Sequence, residues 1–196
     1  MSFLSDSAIS FLSILTILVH IAFVLYAISF ILRLVRIKPG AFPLLEPLFS
    51  FFFKVQTGLK SRSLSLACLI AITAMAGSLF FSEVVGWEPC KLCWFQRIFM
   101  YPQAVILLLA LIFKERRIWP YTLALSIIGG MISAYHYATS TLSSASSTGV
   151  CTVGGGPSCL VNYFTQYGYV TLPLMALTAS VSIALISWYW LREKEK

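Results

Sequence analysis

The sequence predicts an all-α, polytopic membrane protein, and three observations carry that expectation. Apolar residues make up 59% of the chain and charged residues 11%, where soluble domains run at about 45–50% and about 25%. So little polar surface cannot cover a soluble globule, which makes a bilayer the expected solvent. The apolar residues gather into runs near the length a membrane crossing needs, about 20 residues each. The basic residues, which give a net charge of +7, fall in short clusters between those runs. That is how topology signals are distributed, and it is not the single patch that nucleic acid binding calls for.

The first crossing runs from Ser10 to Leu32. It lacks the basic start and short apolar run of a cleaved signal peptide, so it reads as a retained helix. His20, inside it, reads as a helix-contact or interfacial histidine, because histidine is an ordinary interhelical hydrogen-bonder in membranes. Pro39-Gly40 breaks the pattern. Residues 41–56 are too interrupted by Pro43, Glu46 and Pro47 to span, and they read as an interfacial helix. The second crossing is Ser63–Phe81, rich in the small residues that suit close helix packing. A short loop, 82–93, leads to the third, Ile98–Phe113, whose helix is expected to begin nearer Cys93. The fourth covers Trp119 to about Ser140. A loop at 141–166, rich in Ser, Thr and Gly and without Lys, Arg, Asp or Glu, is expected to be mobile. The fifth crossing is Tyr167–Trp190, with Pro173 near its start, where proline is best tolerated.

These spans put Lys91 and Arg97 on one side and every other Lys and Arg on the opposite side. Cytoplasmic loops carry the Lys and Arg excess. The expected topology therefore has the N-terminus outside, the C-terminus in the cytoplasm, and both close cysteine pairs outside, where disulfides persist.

Those pairs are Cys90/Cys93, in Pro89-Cys90-Lys91-Leu92-Cys93-Trp94, and Cys151/Cys159, in the glycine-rich loop. A zinc site would want a matching second half and a nearby histidine, so no metal is expected. Haem attachment would want His where Trp94 stands. Structural staples remain an alternative. The surroundings of Cys93 favour redox chemistry: a helix starting there would place the positive end of its dipole on the thiol, and Arg97 follows at i+4 on the same face. Both would favour a thiolate. His136, at the outer end of the fourth crossing, is a candidate donor to an oxygen of a bound small molecule. The loop around Cys151 and Cys159 would give a protein partner the in-line access that thiol–disulfide exchange requires. Cys68, mid-helix in apolar surroundings, reads as inert.

Ser82-Glu83, Pro89-Cys90-x-x-Cys93-Trp94-x-Gln96-Arg97, Met100-Tyr101-Pro102, Tyr135-His136-Tyr137, the pair Cys151 and Cys159, and Pro173-Leu174-Met175 together resemble the DsbB family of disulfide-bond formation proteins, in its BdbC-like branch. The resemblance covers roughly residues 64–190. It implies a four-helix bundle binding a quinone, ubiquinone or menaquinone, beside the first pair. Its partner would be a thioredoxin-like dithiol oxidase of the DsbA/BdbD type outside a bacterial cytoplasmic (inner) membrane. By motif position, Cys93 would contact the quinone with Cys90 its disulfide mate, Arg97 would flank the quinone with His136 a second candidate, and Cys151–Cys159 would reoxidise the partner. Residues 1–62 are then an added N-terminal helix and interfacial segment, and 63–196 the redox domain. The rival readings are a quinone-reducing relative of vitamin K epoxide reductase and a non-enzymatic membrane scaffold with stapled loops.

Overall fold

The computed structural model describes residues 2–34, 62–115, 117–142, 158–159 and 163–194. The expected interfacial helix at 41–56, and Cys151, lie outside these residues. Helix α1 is Ser2–Leu34. Helix α2, Ser63–Leu79, runs on through a π-helical turn at Phe80–Val84. Helices α3, α4 and α5 are Lys91–Phe113, Trp119–Leu142 and Leu172–Lys194. Among the described residues the protein is all helical, and the sole bridge between extended residues pairs Gln166 with Val170.

Three of these helices, across residues 63–84, 91–113 and 172–192, are long and apolar enough to cross a membrane. Helix α4 is as long but more polar. Its polar residues explain why: Thr122, Ser126, Ser133 and His136 recur at helical spacing on one face, and all four are buried. That face points into a bundle, so the lipid meets the apolar remainder.

The bundle closes as a ring. Helix α2 packs on α3, α3 on α4, α4 on α5 and α5 back on α2, while α1 lies outside against α5. The core is built from Ala67, Cys68 and Ala71 of α2, Met100, Ala104 and Leu107 of α3, Trp119 of α4 and Ile183 of α5. Small residues let helix backbones approach closely where lipid supplies no hydrophobic drive. Gly129 shows the limit: a Cβ there would meet Phe99 Cβ at 3.3 Å and Ser180 Oγ at 3.6 Å.

Polar groups inside tie the helices together. The buried Gln103 amide donates to the Thr122 carbonyl at 2.8 Å and to Ser126 Oγ at 2.6 Å. Thr122 Oγ1 and Ser187 Oγ are 2.9 Å apart. At that end of the bundle Trp119 and Trp190 stack with centroids 5.7 Å apart, and the Trp190 indole donates to Ser63 Oγ. His20 makes the helix contact expected of it, with Nε2 2.9 Å from Thr178 Oγ1 and its ring stacked 6.0 Å from Tyr169. Because the Thr178 hydroxyl donates to the Leu174 carbonyl, His20 is the donor in this pair.

Helix α3 begins at Lys91, close to the start expected near Cys93, because Cys90 caps it. Helix α5 begins at Leu172 and not at Tyr167. Tyr167 and Gly168 both take positive φ, 53° and 81°, and a helix cannot run through two left-handed residues. They instead form the tight turn that Gln166 and Val170 close through mutual backbone hydrogen bonds of 2.9 Å.

Candidate active site at the cysteine end of the bundle

Cys90 is the N-cap of α3. Its backbone is extended, with φ −68° and ψ 172°, its carbonyl accepts the Trp94 N–H at 3.0 Å, and its sulfur accepts the Cys93 N–H at 3.4 Å. Sulfur here does what a Ser or Asp oxygen does at an ordinary N-cap. The one-turn geometry brings the two thiols together, Sγ to Sγ 3.0 Å.

His136 reaches the pair from α4. It is 4% exposed, with Nε2 3.7 Å from Cys90 Sγ and Nδ1 3.2 Å from the Gln96 amide nitrogen. An amide NH2 only donates, so Nδ1 accepts and Nε2 carries the proton. His136 therefore presents an N–H to the Cys90 sulfur. The His136 ring and the Cys93 backbone N–H donate to that sulfur, and the Cys93 thiol lies 3.0 Å from it. Led by the Cys93 hydrogen bond and opposed by burial, they lower the Cys90 pKa from about 9 to about 4. The His136 and Cys93 N–H donors thus converge on the Cys90 sulfur and favour an anion there.

Arg97 is anchored to Ser78 of α2. Its Nε donates to Ser78 Oγ at 3.1 Å and its Nη2 to the Ser78 carbonyl at 3.0 Å. Tyr101 also donates to Ser78 Oγ, at 3.2 Å. The guanidinium lies over the Trp94 and Tyr101 rings, 5.2 and 5.9 Å from their centroids. Its contribution is a cation fixed between α2 and α3 beside the half-exposed faces of Trp94 and Phe95.

Cys159 corrects a second expectation. Its loop reads as mobile and accessible, yet Cys159 is 1% exposed and packs in one cluster with Cys90 and Leu92, with Cys93 and Ile132 against it. It is disulfide-bonded, while Cys68, Cys90 and Cys93 hold free thiols. What pins it is an aromatic stack that the sequence did not reveal. Trp87 stacks between Phe81 and Tyr163, at 5.1 and 4.9 Å and within 10° of parallel to each. Phe164 packs against Phe81 and Trp87, and the Tyr163 hydroxyl donates to the Glu88 carbonyl at 2.7 Å. The only early sign was the crowding of aromatics near each cysteine pair. Beside Cys90, Cys93 and His136 lies a cavity of about 20 Å³, also lined by Ser158, Tyr163, Phe164, Leu172 and Pro173. It has room for one water and none for a ring system. Cys68 is 3% exposed within the core, as expected of an inert thiol.

A free dithiol at a helix start, packed on a cysteine already in a disulfide, is the arrangement for passing a disulfide between two sites in one chain. A family model described as disulfide bond formation protein DsbB matches residues 60–191. The chain belongs to the DsbB family. Among its relatives, probable disulfide formation protein C 1 of Bacillus cereus is 41% identical over 121 residues, 62% of this chain and 86% of that one. Disulfide bond formation protein C of Bacillus subtilis is 40% identical over 117 residues, 60% and 83% of the two chains. The SPbeta prophage-derived disulfide bond formation protein B of Bacillus subtilis is 43% identical over 127 residues, 65% and 81%. No solved structure matches this chain. As a DsbB-family protein of the BdbC-like branch, it is a multi-pass membrane protein with a redox role in disulfide formation.

Proposed function

We propose that this protein is a membrane thiol:quinone oxidoreductase that reoxidises a thioredoxin-like dithiol oxidase outside a bacterial cytoplasmic membrane. Residues 63–196 are the redox unit, and residues 1–62 add a helix that packs on it without supplying a thiol. The observation that carries the reading is the burial of disulfide-bonded Cys159 against the free Cys90/Cys93 pair. A pair of independent staples has no need of that contact.

The relay runs in balanced two-electron steps. The partner's dithiol attacks the Cys151–Cys159 disulfide and departs oxidised, leaving two thiols. Cys159, already packed on Cys90, attacks it in the Cys90–Cys93 disulfide, and Cys93 leaves as a thiolate. Cys151 then attacks Cys159, restoring that disulfide and releasing Cys90. The His136 N–H and the Cys93 N–H, both aimed at Cys90 Sγ, stabilise it as the leaving thiolate in this last step.

Two electrons and two protons must then leave the first pair for a quinone, giving quinol and the Cys90–Cys93 disulfide. The cavity on the loop side is too small for a quinone ring. Next to Cys93 in the chain, the exposed Trp94 ring with the Arg97 guanidinium 5.2 Å from its centroid offers a flat apolar platform and a cation. This supports Cys93 and Arg97 as the quinone contacts. His136 is better placed for Cys90 than for a quinone oxygen, because both of its ring nitrogens are engaged.

The reading is tested by quinone-dependent oxidation of a purified thioredoxin-like dithiol. Cys93→Ala is expected to abolish it, and full activity in that variant would sink the assignment. A Cys151→Ser protein, oxidised to the Cys90–Cys93 disulfide, is expected to accumulate a Cys90–Cys159 bond with Cys93 released as a thiol, seen by peptide mapping without reduction. Failure to form that bond would overturn the order of exchange.

A further inference from the structure

The sequence shows no histidine near the first cysteine pair, but folding brings one there from the next helix. Cys90 Sγ, Cys93 Sγ and His136 Nε2 lie within 4.8 Å of one another. We propose that the reduced site is a three-ligand trap for a soft divalent cation such as Zn²⁺ or Cd²⁺.

The distances can be compared with what such an ion requires. Zinc binds thiolate sulfur at about 2.3 Å and imidazole nitrogen at about 2.0–2.1 Å in tetrahedral geometry. The edges of that tetrahedron are about 3.8 Å between sulfurs and about 3.6 Å between sulfur and nitrogen. Cys90 Sγ and His136 Nε2 already stand 3.7 Å apart. The sulfurs stand 3.0 Å apart and must open by about 0.8 Å to meet the zinc bond lengths, a small torsion of the half-exposed Cys93 side chain.

The three ligand residues also line the cavity bounded by Ser158 and Tyr163, which has room for one water; three protein ligands and an open position are the pattern of a non-structural zinc site. Metal ligation needs the Nε2 lone pair, so the ring proton moves to Nδ1. The Gln96 side chain, 3.2 Å from Nδ1, then accepts that proton through its carbonyl oxygen after the amide turns over. A ligating histidine held this way by its other nitrogen is the usual outer-shell arrangement. Two thiolates and an imidazole select soft and borderline ions over Mg²⁺ or Ca²⁺. Both sulfurs bind as thiolates, any proton still held on them is released, and no electrons move. The disulfide form offers only His136, so the ion distinguishes the two redox states and withholds the reduced one from turnover. That last consequence rests on the relay proposed above; the binding itself rests on geometry alone.

Cobalt is the probe, added to the full-length, detergent-solubilised, reduced protein without oxygen. One equivalent is expected to give a thiolate-to-cobalt charge-transfer band and tetrahedral visible bands, displaced by Zn²⁺. The oxidised protein, Cys90→Ser and Cys93→Ser are expected to give neither band. Gln96→Leu is expected to weaken binding about 10-fold or more, and Cys68→Ala, with the site thiols intact, to bind normally. Absence of the bands in the reduced protein overturns the proposal. So do bands that survive Cys90→Ser, or that appear unchanged in His136→Gln. A protein that takes cobalt at this site yet oxidises no dithiol keeps the proposal and overturns the relay. One that oxidises dithiols and takes no cobalt overturns this proposal alone.

Discussion

At the Trp119 end of the bundle, polar side chains are tied helix to helix. Gln103 of α3 holds α4, Thr122 of α4 holds Ser187 of α5, and Trp190 of α5 holds Ser63 of α2. At the cysteine end the polar contacts converge on one sulfur. Gln96 holds His136, and His136 and Cys93 both face Cys90. The same four helices thus use their buried polar groups in two ways. One end gains fixed geometry from them, and the other gains a group whose charge and bonding can change. What makes the second end workable is that its loops are fastened by ring stacking around Trp87, which does not compete for the sulfur's donors.

This contrast can be broken most severely at the junction of the two pairs. Cys159→Ser is expected to reduce protein-dithiol oxidation to background while dithiothreitol still reduces the Cys90–Cys93 bond, measured by thiol labelling. The charge at the cysteine end gives the next test. Because hydrogen bonds with the Cys93 thiol and His136 lower the Cys90 pKa to about 4, acidification through neutral pH should leave the ultraviolet thiolate absorbance of the reduced protein intact. The absorbance should be lost only as the pH falls through about 4, where protonation removes the anion. Trp87→Ala removes two stacked contacts worth about 0.5–1.5 kcal/mol each, and exchange between the pairs should slow about 10-fold in rapid-mixing experiments. At the other end, Gln103→Leu should cost about 1 kcal/mol of stability in detergent unfolding and leave exchange untouched. The smallest effect is expected for His20→Ala, about 0.6 kcal/mol for one interhelical hydrogen bond.

Much of the Trp119 end was legible in the sequence. Apolar run length located the helices, and small residues marked α2 as closely packed. The cysteine motif also announced a helix start, which the Cys90 cap sets at Lys91, close to where it was expected. The site was less legible, for physical reasons. Composition made the loop around Cys159 look loose, since Ser, Thr and Gly bury little surface. Its anchor comes from Tyr163 and Phe164 meeting Phe81 and Trp87 across a long sequence gap, and stacking leaves no periodic trace. Arg97 sits on the expected helix, but where its long side chain turns depended on the Ser78 carbonyl and hydroxyl offered by α2. His136 sits on the expected helix, but its contacts depend on where α3 and its cap place Gln96 and Cys90.

The cap on α3 has one more consequence. In the dithiol form the sulfur of Cys90 is anionic and accepts the Cys93 amide, closing the first turn of the helix. Once that sulfur is bonded to Cys93 it is neutral and a poor acceptor, and the turn loses its charged lid. The start of α3 is therefore a mechanical reporter of oxidation state: tight when electrons are stored, looser when they have gone. Amide hydrogen exchange at Cys93 and Trp94 would speed up on oxidation, so the segment bearing the thiols would breathe once per catalytic cycle.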